Sequence, residues 1–388
     1  MNGNIMNKRS AKGRTREEIV DLFRACAAKN GPINGAIVMN SLLKGIVGVA
    51  AASVVAVLAS AGLADAQGLT KIKFTTDWKI QGGHAWYYLA RDKGYFRDEG
   101  LDVTVDQGEG SAVAIGRVLS GAYDAGFGDI NAVIQNAADR PGEQPVMVYL
   151  VYNRAPYALI AKSDGPIKTL KDVEGRIISA PAGSATLRMF TPLAKLHDID
   201  TTKVKILNAA PNLIEQMLVQ GQADAITQFS ATSYMNFLAM HLDPEKDFRW
   251  FFYSDYGLDL CSNGVVVSQR LLKENPKAVA GLVKAINRAI LEVVAHPNEG
   301  IALIQKLEPL INADIETKRQ AYFIDQQMLT PETEKLGIGD LSDSRLAASI
   351  KVVAEAYGLK RVPDVREVFV RDFLPSASDR DIKAAAKK

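Results

Sequence analysis

The sequence predicts an α/β protein built from two similar lobes. Short strand and helix patterns alternate, with connections brief enough for a parallel sheet wrapped by helices. The alternation occurs twice, and a Gly-x-x-Asp-Ala turn leads into a strand in each copy, at 121–125 and at 221–225. The chain after residue 66 has about 320 residues, which is enough for two lobes of ordinary size.

Residues 39–66 have the pattern of an export signal. Lys44 supplies a positive charge, an apolar run follows, and Ala64–Ala66 fits the small-x-small rule for cleavage. We therefore expect Gln67 to be the first residue of the mature protein. The apolar run, about 18 residues long, is also borderline for a retained membrane anchor.

Residues 1–38 carry seven Lys or Arg against three acidic residues and have no core pattern. We interpret them as a non-native upstream extension or a disordered segment, with translation starting at Met39. The whole chain has a net charge of +2, and the part after residue 66 a net charge of −2, so no nucleic-acid surface is predicted. Cys26 lies in the extension, so Cys261 has no partner for an internal disulfide, and a lone cysteine is usually a packed small hydrophobe.

The first lobe begins with a strand in which Ile72, Phe74 and Thr76 share one face. The predicted elements of this lobe are strand, helix, strand and helix, at 71–77, 84–98, 101–106 and 111–120. Two apolar strands follow at 145–151 and 157–161. The second lobe then repeats the pattern as a turn, strand, helix, strand, helix and strand, at 170–175, 176–180, from 185, 203–208, 211–219 and 225–228.

Ligands of such sheets bind beyond the carboxyl ends of the strands, where helix N-termini converge. The residues at these ends are Asp77, Trp78, Gly110, Ser111, Asp129, Gly183 and Ser184. Free N–H groups at a helix start suit an anion or a polar acceptor. We expect Ser111 and Ser184 to cap their own helices, and ligand contact by either is an open alternative. Asp129 either reaches the cleft or caps the next helix.

Several motifs together resemble one protein family. They are Asp77-Trp78 with His84, 93–96 with 100–103, 120–124 with 128–129, 167–176, and 221–225. The chain resembles the periplasmic solute-binding proteins of ABC importers, in the branch of nitrate, taurine, aliphatic-sulfonate and thiamine-pyrimidine binders. The resemblance extends from about Lys71 to His296.

The resemblance implies a bilobed type II periplasmic-binding-protein fold, with two lobes of mixed sheets joined by a hinge. Residues 67–162 and 261–388 would form lobe 1, with a returning strand at 264–268, and 163–260 would form lobe 2. The crossings near Lys162 and Cys261 are the expected hinges. It further implies a periplasmic monomer without cofactor, metal or catalytic residue, which delivers a small molecule to an ABC permease and ATPase.

Asp77, Trp78 and His84 match positions of the thiamine-pyrimidine binders in that branch. A flat nitrogen heterocycle suits them, because Trp78 can stack on a ring and Asp77 can accept hydrogen bonds from an exocyclic amine. A carboxylate would repel an oxyanion unless cations or amides offset it. Sulfonates, taurine and nitrate stay open as alternatives.

Further candidates for the cleft wall are Tyr152, Asn153, Phe229 and Tyr256. For each aromatic residue, ordinary core packing explains the position equally well. The helices after residue 312 are expected to pack on lobe 1, and we assign no site residue to them.

Other classes of protein fit less well. Fungal pyrimidine-synthesis enzymes that share this fold carry a cysteine-rich loop near the returning strand, whereas 260–264 holds one cysteine, which cannot form a metal cluster. Such an enzyme is the less favoured alternative. The chain has no G-x-S-x-G motif for a hydrolase, and Gly108 and Gly110 lack the third glycine of a dinucleotide fingerprint.

Overall fold

The structure is a computed structural model that describes residues 68–387. The predicted extension at 1–38, the predicted export signal at 39–66 and its cleavage site lie outside the described residues. Among residues 68–387, no helix combines the length and the apolar character needed to cross a membrane.

Ten strands in the described part of the chain form two sheets of five. They are β1 (Thr70–Thr75), β2 (Leu101–Asp106), β3 (Ala125–Asp129), β4 (Val146–Leu150), β5 (Tyr157–Lys162), β6 (Ile177–Ala180), β7 (Lys205–Asn208), β8 (Ala225–Phe229), β9 (Phe248–Phe252) and β10 (Asn263–Val267). The first sheet has the order β2-β1-β3-β10-β4 and the second the order β7-β6-β8-β5-β9. We call the first sheet with its covering helices lobe 1 and the second lobe 2.

The two sheets repeat one plan. In lobe 1, β1 is parallel to β2 and β3, and β10 is antiparallel to β3 and β4. In lobe 2, β6 is parallel to β7 and β8, and β5 is antiparallel to β8 and β9. The predicted pair of similar lobes with mixed sheets is confirmed, and so is the returning strand β10.

The repeated Gly-x-x-Asp-Ala turn has the same geometry in both lobes. Gly121 and Gly221 have φ angles of 77° and 71°, a left-handed conformation that glycine adopts without strain. Oδ2 of Asp124 accepts a hydrogen bond from a backbone N–H of β1 at 2.8 Å, and Oδ2 of Asp224 accepts one from β6 at 2.9 Å. Each aspartate thus ties its turn to the neighbouring parallel strand.

Helices cover both sheets. They are α1 (Ala85–Asp92), α2 (Tyr95–Asp98), α3 (Ser111–Leu119), α4 (Ile130–Asp139), α5 (Ala185–Leu196), α6 (Ile214–Val219), α7 (Ser230–Ala239), α8 (Gln269–Glu274), α9 (Pro276–Ala295), α10 (Pro297–Leu307), α11 (Ala313–Phe323), α12 (Pro331–Leu336), α13 (Asp343–Tyr357), α14 (Val365–Val368) and α15 (Ile382–Ala385). The single helix predicted at 84–98 is divided into α1 and α2, because Gly94 adopts a φ of 77° between them.

Two chain segments connect the lobes, and they lie side by side. Tyr152 N donates a hydrogen bond to Asn263 O at 2.8 Å, and Ser262 N donates one to Tyr152 O at 3.0 Å. The second segment precedes β10, next to Cys261 as expected. We expected the first near Lys162, but β5 already pairs within lobe 2. The chain therefore changes sheet between β4 and β5.

The helices after residue 312 pack on lobe 1, as expected, and also contact lobe 2, which the sequence did not predict. α11 packs against α7 of lobe 2 and also against α10 and the turn Gly82–His84 of lobe 1. α13 packs against α4 of lobe 1 and α5 of lobe 2. Polar residues of α11 are buried, among them Glu316, Arg319 and Gln320, so an apolar pattern could not reveal its contacts.

Candidate ligand-binding cleft

A narrow cleft lies between the lobes, beyond the carboxyl ends of β1 and β8 and at the first residues of α3 and α5. Its volume is about 330 Å³, including the open mouth. Ala112 N in lobe 1 donates a hydrogen bond to Gly183 O in lobe 2 at 3.0 Å, so the lobes are nearly closed.

Most of the predicted site residues line this cleft: Asp77, Trp78, His84, Gly110, Ser111, Tyr152, Ser184 and Phe229. The cleft wall also includes residues that the sequence analysis did not single out: Gln81, Ala185, Gln228 and Thr232. Four predicted residues do not line the cleft: Asp129, Asn153, Gly183 and Tyr256. Direct contact of any of these residues with a ligand remains a prediction.

Asp77 is the centre of a buried hydrogen-bond network. Its Oδ1 lies 3.0 Å from His84 Nε2. Its Oδ2 accepts hydrogen bonds from Asn263 Nδ2 at 2.7 Å and from Ser111 Oγ at 3.2 Å. Asn263 was missed, although a polar residue that begins the returning strand, at the cleft end of the sheet, is a signal that could have found it.

His84 and Asp77 form a pair without net charge. His84 Nδ1 lies 3.0 Å from Lys79 O, and because a carbonyl only accepts, Nδ1 carries a proton. The contact between Nε2 and Asp77 needs one more proton, which either group can hold. In either arrangement the pair has no net charge.

The starts of α3 and α5 meet across the cleft. Ser184 caps α5, because its Oγ accepts a hydrogen bond from Leu187 N at 3.3 Å. The predicted cap at Ser111 is wrong: Gly110 occupies the N-cap position of α3, and Ser111 is the first helical residue. Ser111 Oγ donates to Asp77 instead. A Cβ atom added to Gly110 would lie 2.5 Å from Gly183 O, so only glycine fits there.

Aromatic side chains form one end of the cleft. Tyr152 stacks on Phe323 with ring centroids 4.9 Å apart and an interplanar angle of 3°. Tyr152 also meets Phe229 of lobe 2 edge to face at 6.4 Å. Trp78 lies in the wall and is partly exposed. Of these rings, Trp78, Tyr152 and Phe229 line the cleft, and aromatic faces suit a ring-shaped ligand.

Asp129 lies behind the cleft and caps α4, which is one of the two expected alternatives. Its Oδ1 accepts hydrogen bonds from Tyr157 Oη at 2.8 Å and from Asn131 N at 3.2 Å. Burial raises the pKa of Asp129 to about 6, against the lowering effect of these bonds.

Asn153 and Tyr256 make structural contacts away from the cleft. Asn153 Nδ2 donates to Glu332 Oε2 at 2.8 Å, and Asn153 Oδ1 accepts from Arg345 at 2.8 Å. The ring of Tyr256 packs against His197 at 5.5 Å. Both residues therefore join helices and loops around the lobes.

The helix α11 supports the cleft wall from behind. Glu316 Oε2 accepts a hydrogen bond from Gly82 N at 2.6 Å, and Arg319 Nε donates to the same carboxylate at 3.0 Å. Arg319 Nη1 also donates to Thr232 O in lobe 2 at 2.9 Å. This buried pair therefore connects the two walls, although we had assigned no site residue to the C-terminal region.

Within residues 68–387, no group of three or more His, Cys, Asp or Glu residues is placed to hold a metal ion. Cys261 is buried, and burial raises the pKa of its thiol to about 12. The thiol therefore stays protonated at neutral pH and packs as a small hydrophobe.

Comparison with known proteins places this chain in a family. The profile of the family described as NMT1/THI5 like matches residues 81–300. The riboflavin-binding protein RibY of Chloroflexus aurantiacus is 25% identical over 75% of this chain and 82% of its own. The 4-amino-5-hydroxymethyl-2-methylpyrimidine phosphate synthase of Candida albicans is 25% identical over 65% of this chain and 77% of its own.

Solved structures agree on the fold. The periplasmic aliphatic sulphonate binding protein SsuA of Escherichia coli aligns with a TM-score of 0.57 at 15% identity, over 78% of this chain and 92% of its own. A Candida albicans protein described as having the generic periplasmic binding protein fold aligns with a TM-score of 0.61 at 17% identity, over 79% of this chain and 98% of its own. The predicted bilobed periplasmic-binding-protein fold is thus confirmed.

Proposed function

We propose that this chain, which belongs to the NMT1/THI5-like family, captures a flat nitrogen heterocycle between its lobes and delivers it to an ABC permease. The observation that carries the proposal is the neutral Asp77 and His84 pair in a cleft walled by aromatic rings. A thiamine-type pyrimidine or a related ring is the ligand class that we favour.

The charge of the cleft favours a neutral ring over an oxyanion. Among the described residues, no lysine or arginine lines the cleft, and His84 is already neutralised by Asp77. The N–H of Ala112 at the start of α3 is bonded to Gly183 O. The anionic group of a sulfonate, taurine or nitrate would therefore gain no net positive charge from the described residues of the cleft wall.

The names of the relatives support a heterocycle. One is called a riboflavin-binding protein, and others are called synthases of a pyrimidine phosphate. A flavin and an aminopyrimidine both present a flat ring with polar atoms on its edge. Stacking against Tyr152, Phe229 or Trp78 would hold either ring.

A binding experiment tests the proposal. The mature protein would be titrated calorimetrically with 4-amino-5-hydroxymethyl-2-methylpyrimidine, riboflavin, an alkanesulfonate, taurine and nitrate. We expect saturable binding of a heterocycle, with thermal stabilisation of about 2.7 kcal/mol at a hundred times the dissociation constant. Binding restricted to sulfonate, taurine or nitrate would contradict the ligand class.

The enzyme alternative rests on the synthase names of several relatives. We favour binding without turnover, and mass spectrometry of the incubated ligands distinguishes the two. Recovery of every ligand unchanged is the expected result, whereas a new pyrimidine product would establish an enzyme.

We further propose a periplasmic monomer that meets a permease and ATPase at the inner membrane. Solved proteins of similar fold include some described as periplasmic. N-terminal sequencing of the protein from a periplasmic extract is expected to begin at Gln67. A product that begins upstream of residue 39, found only in the cytoplasm, would contradict this.

A further inference from the structure

Two buried polar atoms in the cleft wall meet no hydrogen-bond partner among residues 68–387, one on each side. They are Tyr152 Oη of lobe 1 and Gln228 Nε2 of lobe 2. Tyr152 is 1% exposed and Gln228 3% exposed. A buried donor without an acceptor destabilises a protein. The other unpaired atoms, such as Trp86 Nε1 and Thr227 Oγ1, belong to residues that do not line the cleft, whereas these two do.

The hydrogen bond of the Gln228 side-chain oxygen determines the orientation of the amide group. Gln228 Oε1 accepts a hydrogen bond from Phe229 N at 3.1 Å. The reverse assignment would place the amide NH₂ against a backbone N–H, two donors that cannot bond. The NH₂ group is therefore the unpaired end, and it is a donor that Gln228 can offer to a ligand.

We propose that Gln228 is a specificity-determining residue that donates from Nε2 to an acceptor on the edge of the bound ring, either a ring nitrogen or a carbonyl oxygen. This inference rests on the proposed function. Across the cleft, Asp77 Oδ1 has a remaining lone pair for a ligand N–H. The ligand class is then a ring with neighbouring donor and acceptor groups, as in a 4-aminopyrimidine or a pyrimidinedione.

Because Gln228 lies in lobe 2, its contact with the ligand depends on closure of the lobes. Asp77 lies in lobe 1 and Gln228 in lobe 2, so one ring satisfies both only when the lobes are closed. A ligand that lacks the acceptor keeps its contact with lobe 1 but gains less from closure. In the closed state, Gln228 therefore discriminates between ligands that have the acceptor and ligands that lack it.

The test compares Gln228→Glu with the wild-type protein. Glutamate keeps an oxygen for Phe229 N–H and replaces the NH₂ donor by an acceptor. The probes are 4-amino-5-hydroxymethyl-2-methylpyrimidine, riboflavin, and the 3-deaza analogue of the pyrimidine, in which CH replaces the ring nitrogen beside the amine. The control is Gln222→Glu, at an exposed position of lobe 2.

We expect Gln228→Glu to weaken the probe that binds by at least tenfold, while Gln222→Glu does not. The wild-type protein should prefer the pyrimidine over its deaza analogue, and Gln228→Glu should abolish that preference. If a heterocycle binds the wild-type protein and Gln228→Glu equally well, or if the variant weakens the pyrimidine and its analogue alike, this inference fails and the proposed function stands. If neither the pyrimidine nor riboflavin binds the wild-type protein, both fail together.

Discussion

At the scale of single residues, Asp77 has two roles: it positions other residues of the cleft wall, and it faces the space for a ligand. Three protein side chains hydrogen-bond to it: His84, Ser111 and Asn263. The sequence alone suggested that its carboxylate is free for an exocyclic amine of the ligand. The structure leaves Oδ1 with one lone pair for that purpose, and the remaining acceptor capacity positions the neighbours of Asp77.

Replacing Asp77 by asparagine removes the charge and keeps the shape. We expect Asp77→Asn to weaken the binding of an aminopyrimidine by about 1.5–3 kcal/mol, the usual contribution of a hydrogen bond to a charged group. Isothermal titration measures the change, and Asp102→Asn, at an exposed position of β2, serves as the control. An unchanged dissociation constant in Asp77→Asn would remove this carboxylate from the binding site.

The raised pKa of Asp129 predicts how the free energy of unfolding depends on pH. Its pKa is about 6 in the folded protein and about 3.9 in an unfolded chain, so the folded state binds the proton more tightly. The stability that this group contributes is present below about pH 4 and is lost as the pH rises through 6. The loss amounts to about 3 kcal/mol.

Asp129→Asn cannot titrate and should lack this loss. Urea unfolding of both proteins from pH 4 to pH 7 measures the difference. The free energy of unfolding of the wild-type protein, relative to the variant, should fall by up to about 3 kcal/mol over this range. Parallel pH profiles would show that Asp129 keeps an ordinary pKa.

At the scale of elements, α11 connects the two walls of the cleft through a buried ion pair. Glu316 accepts from the backbone of Gly82 in lobe 1, and Arg319 donates to the carbonyl of Thr232 in lobe 2. Arg319 also donates to Asn236 Oδ1 at 3.0 Å. Because Arg319 is 4% exposed and Glu316 7% exposed, water can compensate little for the loss of either partner.

Removing one member of this pair should lower the free energy of unfolding more than removing both members. Arg319→Met leaves the charge of Glu316 buried and unpaired, and we expect a loss of about 3–5 kcal/mol in the free energy of unfolding. The double variant Glu316→Gln/Arg319→Met has no unpaired charge and should recover part of that loss. Urea denaturation measures all three proteins, and a double variant no more stable than Arg319→Met would contradict the pairing.

At the scale of the whole molecule, local repeats made the fold predictable. The two Gly-x-x-Asp-Ala turns indicated matched lobes, because each turn needs a left-handed glycine and an aspartate that bonds the next strand. The rule that ligands bind at strand ends placed Asp77, Ser111 and Ser184 in one cleft. These inferences use only spacing along the chain.

Contacts between distant segments could not be predicted in this way. Asn263 is 186 positions from Asp77, and Glu316 is 234 positions from Gly82. No periodicity or motif relates such residues, and only the packed structure brings them together. The C-terminal helices were assigned to lobe 1 for the same reason, since buried polar residues mark their contacts with lobe 2.

The close approach of the Gly110 and Gly183 backbones predicts how the lobes close. A methyl group at Gly110 would lie 2.5 Å from Gly183 O, and the φ of 143° strains any residue other than glycine. Gly110→Ala should therefore keep the lobes apart and weaken the binding of a heterocycle by roughly tenfold or more, because contacts that span the cleft form only on closure. Small-angle X-ray scattering with and without ligand measures closure, and the variant should keep a larger radius of gyration than the ligand-bound wild-type protein.

Gly116→Ala is the matched control, since it lies in α3 with nothing within 4 Å of the added Cβ and should stabilise the helix by about 0.5–1 kcal/mol. If Gly110→Ala becomes as compact with ligand as Gly116→Ala does, the two glycines do not limit closure.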